Sequence, residues 1–303
     1  MPTSLSLLIN TKNEEKVLDA CIASTEGIVD EIVIADMGST DSTCSIAQKH
    51  GAKIFQVRNF GFVEPARKIG EKYTTGKWVL VLDADECLSP KLKKEIPKLI
   101  AADHEVIAIP RKNIIFNQWM KGNDYWPNYQ IRLYKKGTVQ WPATIHAGAV
   151  TKKQIYYLSA EPEYALIHTV SVDPNFLLAK TDNYSTHDSS FSEYLKDHAF
   201  ESDAVLNYLQ HGFRFGFVAK EGFKDGFGGY VMSKLMDIYR FAEVAKYWLN
   251  HGQPTMKNEK LFLETFTIET EYKNSFFFKM WLKWRKVKVR IKKLPYVFTG
   301  FYD

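Results

Sequence analysis

The sequence is poor in cysteine and has no long apolar run. Its three cysteines, Cys21, Cys44 and Cys87, show no metal-binding spacing and form no even set of pairs. This argues against a secreted, disulfide-stabilised fold and suits a reducing compartment. No apolar run approaches the roughly 20 residues that span a bilayer. Residues 1–4 lack the charged and apolar leader of a signal peptide, so we expect a cytoplasmic protein.

Internal repeats and low-complexity segments are also absent. The content of 45% hydrophobic and 25% charged residues is that of a soluble globular protein, and 303 residues suffice for one large domain or two smaller ones. The net charge of +5 is local, because residues 271–303 hold nine Lys or Arg and two Asp or Glu, which leaves −2 for the rest. The basic character therefore has to be explained in the C-terminal segment.

Short apolar runs alternate with helical patterns over the first 90 residues. Strands are predicted at residues 4–9, 31–35, 52–57 and 78–82. Helices are predicted between them, over 16–25, up to His50, and over 64–75. This order predicts an α/β fold with a parallel sheet and right-handed crossovers.

The pattern changes after Glu86. A Lys-rich helix is predicted from Ser89 to about Ala102, and residues 108–150 resemble an antiparallel extension with aromatic residues and short strands. Further helices are predicted at 176–194, 198–210 and 229–248. Four glycines predict a flexible joint between the last two, at Gly222, Gly226, Gly228 and Gly229.

Two carboxylates follow the strand predicted at 78–82. Asp83 and Asp85 are two residues apart, so in an extended chain their side chains lean to the same side. Neighbouring carboxylates repel unless a cation lies between them, and a divalent ion that also binds water and phosphate oxygens meets that need. Asp36 follows the second strand in the same way, at the edge where open parallel sheets bind ligands. We interpret Asp36 and Asp83 as site residues, whereas for Thr11 alone a helix cap is the simpler interpretation.

These motifs resemble the family 2 glycosyltransferases, in the branch that builds lipopolysaccharide cores and cell-surface polysaccharides. The resemblance is strongest over residues 5–90 and covers most of the chain. The segments that carry it are 8–15, 31–41, 78–86, 130–134, 145–146 and 225–226.

The resemblance implies an α/β fold with a Rossmann-like, nucleotide-sugar-binding domain of the glycosyltransferase A type and a helical C-terminal extension. Residues 1–105 would form the nucleotide-sugar-binding half and 106–172 the acceptor half of the same domain. Residues 173–255 would form the helical extension and 256–303 a basic aromatic tail. The implied reaction is an inverting, metal-dependent transfer of a sugar from a nucleotide sugar, with a UDP-sugar expected, to a glycan or lipid-linked acceptor.

The resemblance also implies roles for single residues. The nucleotide-binding residues would be Thr11, Asn13, Glu14, Asp36, Arg67 and Asp83. Asp36 would bind the base edge and Arg67 would face the diphosphate. Asp83 would meet the ribose or the metal, and Asp85 would hold Mg²⁺ or Mn²⁺. A metal and a guanidinium suit this chemistry because the leaving nucleoside diphosphate develops negative charge.

Inversion also needs a base that takes the proton of the acceptor hydroxyl. Relatives of this branch commonly carry Glu directly after the histidine that matches His146, where this chain has Ala147. They also often carry Asp where this chain has Asn128. Asp124 is the nearest substitute and Glu86 the next, although Asp124 is equally interpreted as a turn residue.

Aromatic residues are dense in the acceptor half and form either a sugar-stacking platform or core. They are Trp119, Tyr125, Trp126 and Tyr129. The acceptor residues that we predict are Trp126, Tyr129, Gln130, Arg132 and His146. His146 and His168 are candidate metal or phosphate contacts, with a structural role as the alternative.

The basic tail interleaves bulky aromatic residues with cations over residues 276–293, and no acid follows until Asp303. This composition suits an anionic membrane surface and would also suit nucleic acid. The family resemblance favours the membrane, because the acceptor of a polysaccharide enzyme is often lipid-linked, so we expect a peripheral protein on the cytoplasmic face of the membrane. The alternative is a solvated amphipathic helix whose aromatic face packs on the body of the protein.

Two other functions compete with sugar transfer. The acids missing at Asn128 and Ala147 suggest a catalytically silent nucleotide-sugar-binding protein. A nucleotidyltransferase that forms nucleotide sugars is less favoured, because residues 10–15 lack the Gly-rich, basic phosphate loop that such enzymes usually show after the first strand.

Overall fold

A computed structural model describes residues 4–102, 104–142, 148–170, 181–182, 184–186, 190–252 and 254. The chain divides into two compact units. The larger comprises Met1–Asp197 and Asn207–Gln253, and the smaller comprises His198–Leu206 and Pro254–Asp303. The site described below lies in the larger unit.

The strands of the larger unit form one mixed sheet. They are β1 (Leu5–Thr11), β2 (Glu31–Asp36), β3 (Lys53–Gln56), β4 (Trp78–Asp83), β5 (Glu86–Leu88), β6 (Val106–Ile115), β7 (Gln118–Trp119), β8 (Asn128–Lys135), β9 (Ile155–Tyr157) and β10 (Leu166–Thr169). Their order is β3-β2-β1-β4-β8-β6-β10-β5, with β7 and β9 both paired to β6. The first four strands are mutually parallel, which confirms the predicted α/β core.

The core of the sheet lies where the sequence is continuously apolar. All seven residues of β1 are buried, and β4 is buried from Trp78 to Leu82. One face packs Leu7, Ile9 and Leu80 in a large cluster, and the other packs Leu8 in a smaller one. Because side chains alternate along a strand, the residues that follow at the carboxyl ends also divide between the two faces.

The predicted antiparallel extension joins this same sheet. Strand β8 runs antiparallel to both β4 and β6, so it lies between the parallel core and the later strands. Strand β5 follows β4 after a two-residue turn and pairs with β10 at the far edge, with His168 opposite Glu86. This short strand was not predicted, and it carries Glu86 into the interior.

The helices of the described chain are α1 (Leu18–Ala23), α2 (Thr43–Lys49), α3 (Glu64–Glu71), α4 (Pro90–Ala101), α5 (Ser190–Tyr194), α6 (Ser202–Phe213) and α7 (Gly226–His251). The helix predicted at 176–194 falls partly outside the described residues. The N-terminus of α4 is capped by Ser89, whose Oγ accepts from Leu92 N at 3.2 Å.

The flexible glycine joint was a wrong prediction. Gly228 and Gly229 lie inside α7, and a Cβ on Gly229 would overlap the carbonyl oxygen of Gly222. These glycines therefore serve close packing between the start of α7 and the turn Gly222–Asp225, which explains why side chains are absent there.

Candidate active site

A cleft of about 780 Å³ opens at the carboxyl edge of the sheet. Asn10 and Asp83, which are paired in register at the ends of β1 and β4, line it together with Asp85. Arg67 of α3, Arg111 of β6 and Arg132 of β8 also line it. The cleft therefore gathers polar groups from the parallel core and from the antiparallel extension.

Three arginines and two carboxylates form a network in the wall of this cleft. Both Arg67 Nη2 and Arg132 Nη2 donate to Asp83, one to each carboxylate oxygen. Arg132 Nη2 also donates to Glu86 Oε1 at 2.8 Å, and Arg111 Nη1 donates to the same oxygen at 3.1 Å. The second oxygen of Glu86 accepts from the backbone N–H of Asp83 at 3.0 Å. Arg67 Nη1 also lies 4.0 Å from Glu64 Oε1, so three guanidiniums face three carboxylates and their charges balance.

Burial makes this network electrostatically strong. Burial alone raises the pKa of Asp83, but the guanidiniums of Arg132 and Arg67 outweigh it and hold the pKa far below its usual range. For Arg132, burial lowers the pKa, and the neighbouring carboxylates of Asp83 and Glu86 raise it above its usual value. Asp83 is therefore ionised at neutral pH and tied to two arginines.

Close packing of α3 places Arg67 over the end of β4. Gly70, one turn after Arg67, faces the sheet, where a Cβ would come within 2.7 Å of Leu8 Cδ1 and 3.0 Å of Ala35 Cβ. The missing side chain lets the helix approach β1 and β2. The Arg67 guanidinium also lies over the Trp141 ring, 5.1 Å from its centroid.

Asp85 faces a histidine across the cleft. His168 Nε2 lies 3.2 Å from Asp85 Oδ2, and His168 Nδ1 lies 2.8 Å from the side-chain oxygen of Asn113. Asn113 Nδ2 donates to the carbonyl oxygen of Tyr125 at 3.0 Å, which orients the amide so that its oxygen faces the ring. An amide oxygen only accepts, so Nδ1 carries the proton and Nε2 of the neutral ring is an acceptor. Nε2 therefore faces the Asp85 carboxylate, and an imidazole nitrogen and a carboxylate oxygen are both ligand types for a divalent cation.

Asp36 organises the loops beside the cleft. Its fully buried carboxylate accepts from Thr11 Oγ1 at 3.0 Å, from Gln56 Nε2 at 3.1 Å, and from the backbone and side chains of the turn that holds Gly38 and Ser39. Burial raises the pKa of Asp36, but these hydrogen bonds, led by those from Ser39, lower it overall. The direct contact with a base that we predicted for Asp36 stays a prediction.

The other predicted nucleotide contacts lie around the same loops. Asn13 Oδ1 accepts from Thr40 N at 2.8 Å, and Asn13 has a left-handed backbone with φ of 57°. Glu14 N donates to Thr43 Oγ1 at 2.7 Å, and Glu14 lines the cleft. The loop after β1 is thus fixed by the loop after β2.

Asn10 was not predicted as a site residue, although its signal was present as a polar side chain ending an apolar strand. It is 4% exposed and lines the cleft, and neither its Nδ2 nor its Oδ1 has a hydrogen-bond partner among the described residues. Arg67 Nε and Arg132 Nε are likewise buried without a partner in the described part of the chain. Such groups are rare in folded proteins and are usually completed by water or by a ligand.

A second cavity of about 490 Å³ adjoins the cleft. Arg111, His168 and Tyr184 line both spaces. From there the cavity extends between β6, β10 and α7, and much of its wall is aromatic or apolar. Its aromatic lining comes from Tyr125, Tyr184, Tyr208 and Tyr239.

Neither predicted base is among the residues that line the cleft. The Asp124 side chain is 69% exposed in a turn with φ of 59° and pairs with Lys220 Nζ at 2.7 Å. Glu86 is fully buried behind the cleft, within the arginine network. A base must reach the acceptor hydroxyl, so the role of either residue stays a prediction.

The predicted acceptor residues divide into several groups. Tyr129, Gln130 and Arg132 line the cleft. Trp126 instead packs edge-on against Trp119, with ring centroids 5.2 Å apart. His146 lies outside the described residues. The four aromatic residues of the proposed platform therefore do not form one surface, and Arg111 and Asn113 were missed because strand pairing alone brings them to the site.

Known proteins match this chain over most of its length. The model of glycosyl transferase family 2 matches residues 6–158. A glycosyltransferase of Rickettsia felis is 30% identical over 80% of this chain and 88% of its own. The lipopolysaccharide core biosynthesis glycosyltransferase LpsC of Rhizobium meliloti is 25% identical over 84% of this chain and 95% of its own.

Solved structures show a weaker likeness. TarS (residues 1–349) of S. aureus has a TM-score of 0.45 and 16% identity, over 80% of this chain and 91% of that one. The family match and the relatives agree with the resemblance seen in the motifs and favour sugar transfer over nucleotide transfer. The chain belongs to glycosyl transferase family 2 and is a glycosyltransferase.

Proposed function

We propose that this glycosyltransferase moves a sugar from a nucleotide sugar, expected to be a UDP-sugar, to a glycan or lipid-linked acceptor with inversion at the anomeric carbon. The observation that supports binding of the nucleotide-sugar donor is the cleft at the carboxyl edge of the sheet. Its volume of about 780 Å³ is in the range of cofactor sites. Its buried amide and guanidinium groups without protein partners are the kind that a polar ligand completes.

The arginines of the cleft support a diphosphate. Asp83, Glu86 and Glu64 balance their charges and hold them in place, so a divalent cation would supply the further positive charge that a diphosphate needs. Arg111 is the most exposed of the three, with 19% of its side chain accessible. Guanidiniums held in place before the reaction stabilise the charge that develops on a leaving diphosphate at little cost in reorganisation.

Asp85 and His168 are suited to one divalent cation, Mg²⁺ or Mn²⁺. Their facing nitrogen and oxygen atoms are ligand types for such a cation, and a hard cation completes its shell with waters and phosphate oxygens. No larger group of His, Cys, Asp or Glu suited to a metal occurs in the described part of the chain. Asp83 is a weaker candidate ligand, because each of its oxygens already accepts from an arginine. When bound, the metal would add positive charge beside the leaving diphosphate.

The second cavity supports an acceptor site. It meets the cleft at Arg111 and His168, next to Asp85, where the donor sugar and the acceptor hydroxyl would have to meet. Its tyrosines offer faces on which sugar rings stack. The base stays a prediction, with Asp124 and Glu86 as the sequence candidates. The name of the relative LpsC supports a role in lipopolysaccharide or other cell-surface polysaccharide synthesis.

A turnover experiment tests the proposal. The protein is incubated with Mn²⁺ and a panel of UDP-, GDP-, CDP- and dTDP-sugars, with and without bacterial membrane glycolipid. Release of nucleoside diphosphate identifies the donor, and NMR of the product reports the anomeric configuration. We expect release from a UDP-sugar, stimulated by glycolipid, with an inverted product.

The matched variants are Asp85→Asn in the cleft and Asp19→Asn on the surface, where Asp19 is 74% exposed and pairs with His50. We expect the first to lose turnover and the second to retain it. Turnover that does not require Mn²⁺ or Mg²⁺, or a product with retained configuration, would contradict the corresponding part of the proposal.

A further inference from the structure

Helix α7 carries an apolar face that the described protein leaves exposed. The exposed fractions are 80% for Phe227, 42% for Tyr230, 47% for Ile238, 63% for Phe241, 45% for Trp248 and 85% for Leu249. Large apolar side chains with this exposure are unusual when they are contiguous, and such patches mark interaction surfaces.

These six side chains share one side of the helix. At 100° per residue they fall within an arc of about 100°, and the 26 residues of α7 extend over about 39 Å. The buried residues Gly229 and Glu243 lie on the opposite side, and the buried Gly228, Ser233 and Val244 lie outside the arc on its flanks. We call the six exposed residues the α7 stripe.

The stripe has the chemistry of a membrane interface. It contains Tyr230 and Trp248, whose rings combine an apolar body with a polar group, and two phenylalanines. Lys234 is the only charged residue of α7 within the arc, and its Nζ pairs with Asp237 Oδ2 at 3.3 Å, just outside the arc. The stripe is therefore apolar and aromatic, and its one lysine is already balanced by a carboxylate on the same helix.

We propose that the α7 stripe docks this protein on an anionic membrane surface, with α7 lying in the plane of the interface. No helix in the described ranges has the length and hydropathy of a transmembrane span, so docking would be peripheral. The sequence after α7 has the same character, because residues 276–293 combine aromatic residues with cations and contain no acid. Two successive segments of the chain thus favour the same partner.

Flotation of the full chain with lipid vesicles tests this proposal. Vesicles of phosphatidylcholine are compared with vesicles that also contain phosphatidylglycerol. We expect wild type to float with the anionic vesicles. The triple variant Phe227→Ser, Phe241→Ser and Leu249→Ser should reduce the partition coefficient at least about ten-fold. In the wild type each of these apolar side chains would move from water into the membrane interface, and serine loses that favourable transfer.

A matched triple variant controls for the loss of apolar surface elsewhere. Tyr73→Ser, Val150→Ser and Tyr156→Ser change residues that are 42%, 50% and 38% exposed, and should float like wild type. Circular dichroism and UDP binding in solution verify that both triple variants keep the fold and the cleft. These readouts separate a failure of membrane docking from a failure of the proposed sugar transfer.

Two results would overturn the proposal. If the stripe variant floats like wild type, the stripe does not contact the membrane and any binding belongs to another segment. If light scattering shows a wild-type dimer that the stripe variant abolishes, the stripe is an interface between copies of this chain.

Discussion

The buried amide of Asn10 gives the sharpest prediction, because one substitution should change stability and affinity in opposite directions. Asn10→Leu keeps a branched side chain of similar shape and removes two polar atoms that have no partner in the described ranges of the chain. Asn10 lies on the face of β1 that carries Leu8, so an apolar side chain continues that surface. A role in ligand binding and a purely structural role then predict different results.

The magnitudes follow from the burial of the amide. A buried polar group left unsatisfied costs about 1–3 kcal/mol, so we expect Asn10→Leu to raise the free energy of unfolding by about that amount. If the amide makes two hydrogen bonds to the nucleotide sugar, its loss removes about 1–3 kcal/mol of binding free energy. That loss corresponds to an affinity about 5- to 150-fold weaker.

Denaturant unfolding and calorimetric titration with UDP in the presence of Mn²⁺ measure the two quantities. Asn59→Leu is the matched control, since Asn59 is exposed outside the cleft and only accepts from Gly61 N at 2.9 Å. It should leave UDP affinity unchanged. Greater stability of Asn10→Leu with unchanged UDP affinity would refute the ligand role, and lower stability would show that the amide has a partner in the folded protein.

Three further substitutions test the framework of the site. Arg132→Met leaves the fully buried Glu86 with one guanidinium fewer, so we expect denaturant unfolding to show a free energy of unfolding about 3–5 kcal/mol lower than that of wild type. An unchanged free energy of unfolding would show that the network does not stabilise the fold. Burial raises the pKa of Glu31, but hydrogen bonds to its carboxylate lower it overall to about 2, so its ionised form stabilises the fold above about pH 4 and the benefit is lost as the pH falls toward 2. Glu31→Gln should therefore cost about 1–3 kcal/mol at neutral pH, and unfolding curves of wild type and variant should converge near pH 2; a gap that widens on acidification would contradict this sign. Gly229→Ala would force a methyl group onto the Gly222 carbonyl, so we expect the free energy of unfolding to fall by about 1–3 kcal/mol and the melting temperature to fall with it. An unchanged melting temperature would mean that α7 packs less tightly than described.

Local patterns were enough to predict the parallel core. Strands β1, β2 and β4 are short apolar runs that end in polar residues, and their carboxyl ends meet at one edge because parallel strands place them there. Asp83 and Asp85 could therefore be assigned to the cleft from sequence. The family resemblance added Arg67, which packing of α3 brings to Asp83.

The contacts that could not be predicted from the sequence depend on pairing between strands that are far apart along the chain. Arg111 and Arg132 reach Asp83 and Glu86 only because β8 inserts between β4 and β6, and nothing in the spacing of these residues indicates that register. The burial of Glu86 depends on the short strand β5, which forms by pairing with β10. A sequence pattern predicts that a segment forms a strand more readily than it predicts which strands pair with it. The burial of Glu86 and the exposed turn position of Asp124 could therefore not be predicted from the sequence.

Calorimetric titration of UDP with and without Mn²⁺ tests the central claim most directly, with wild type, Asp85→Asn and the surface control Asp19→Asn measured side by side. The account predicts that wild type and Asp19→Asn bind UDP more tightly with Mn²⁺, and that Asp85→Asn loses this gain while it keeps the metal-independent binding given by the arginines. Equal enhancement by Mn²⁺ in Asp85→Asn, or no binding of UDP to the wild-type protein, would contradict it.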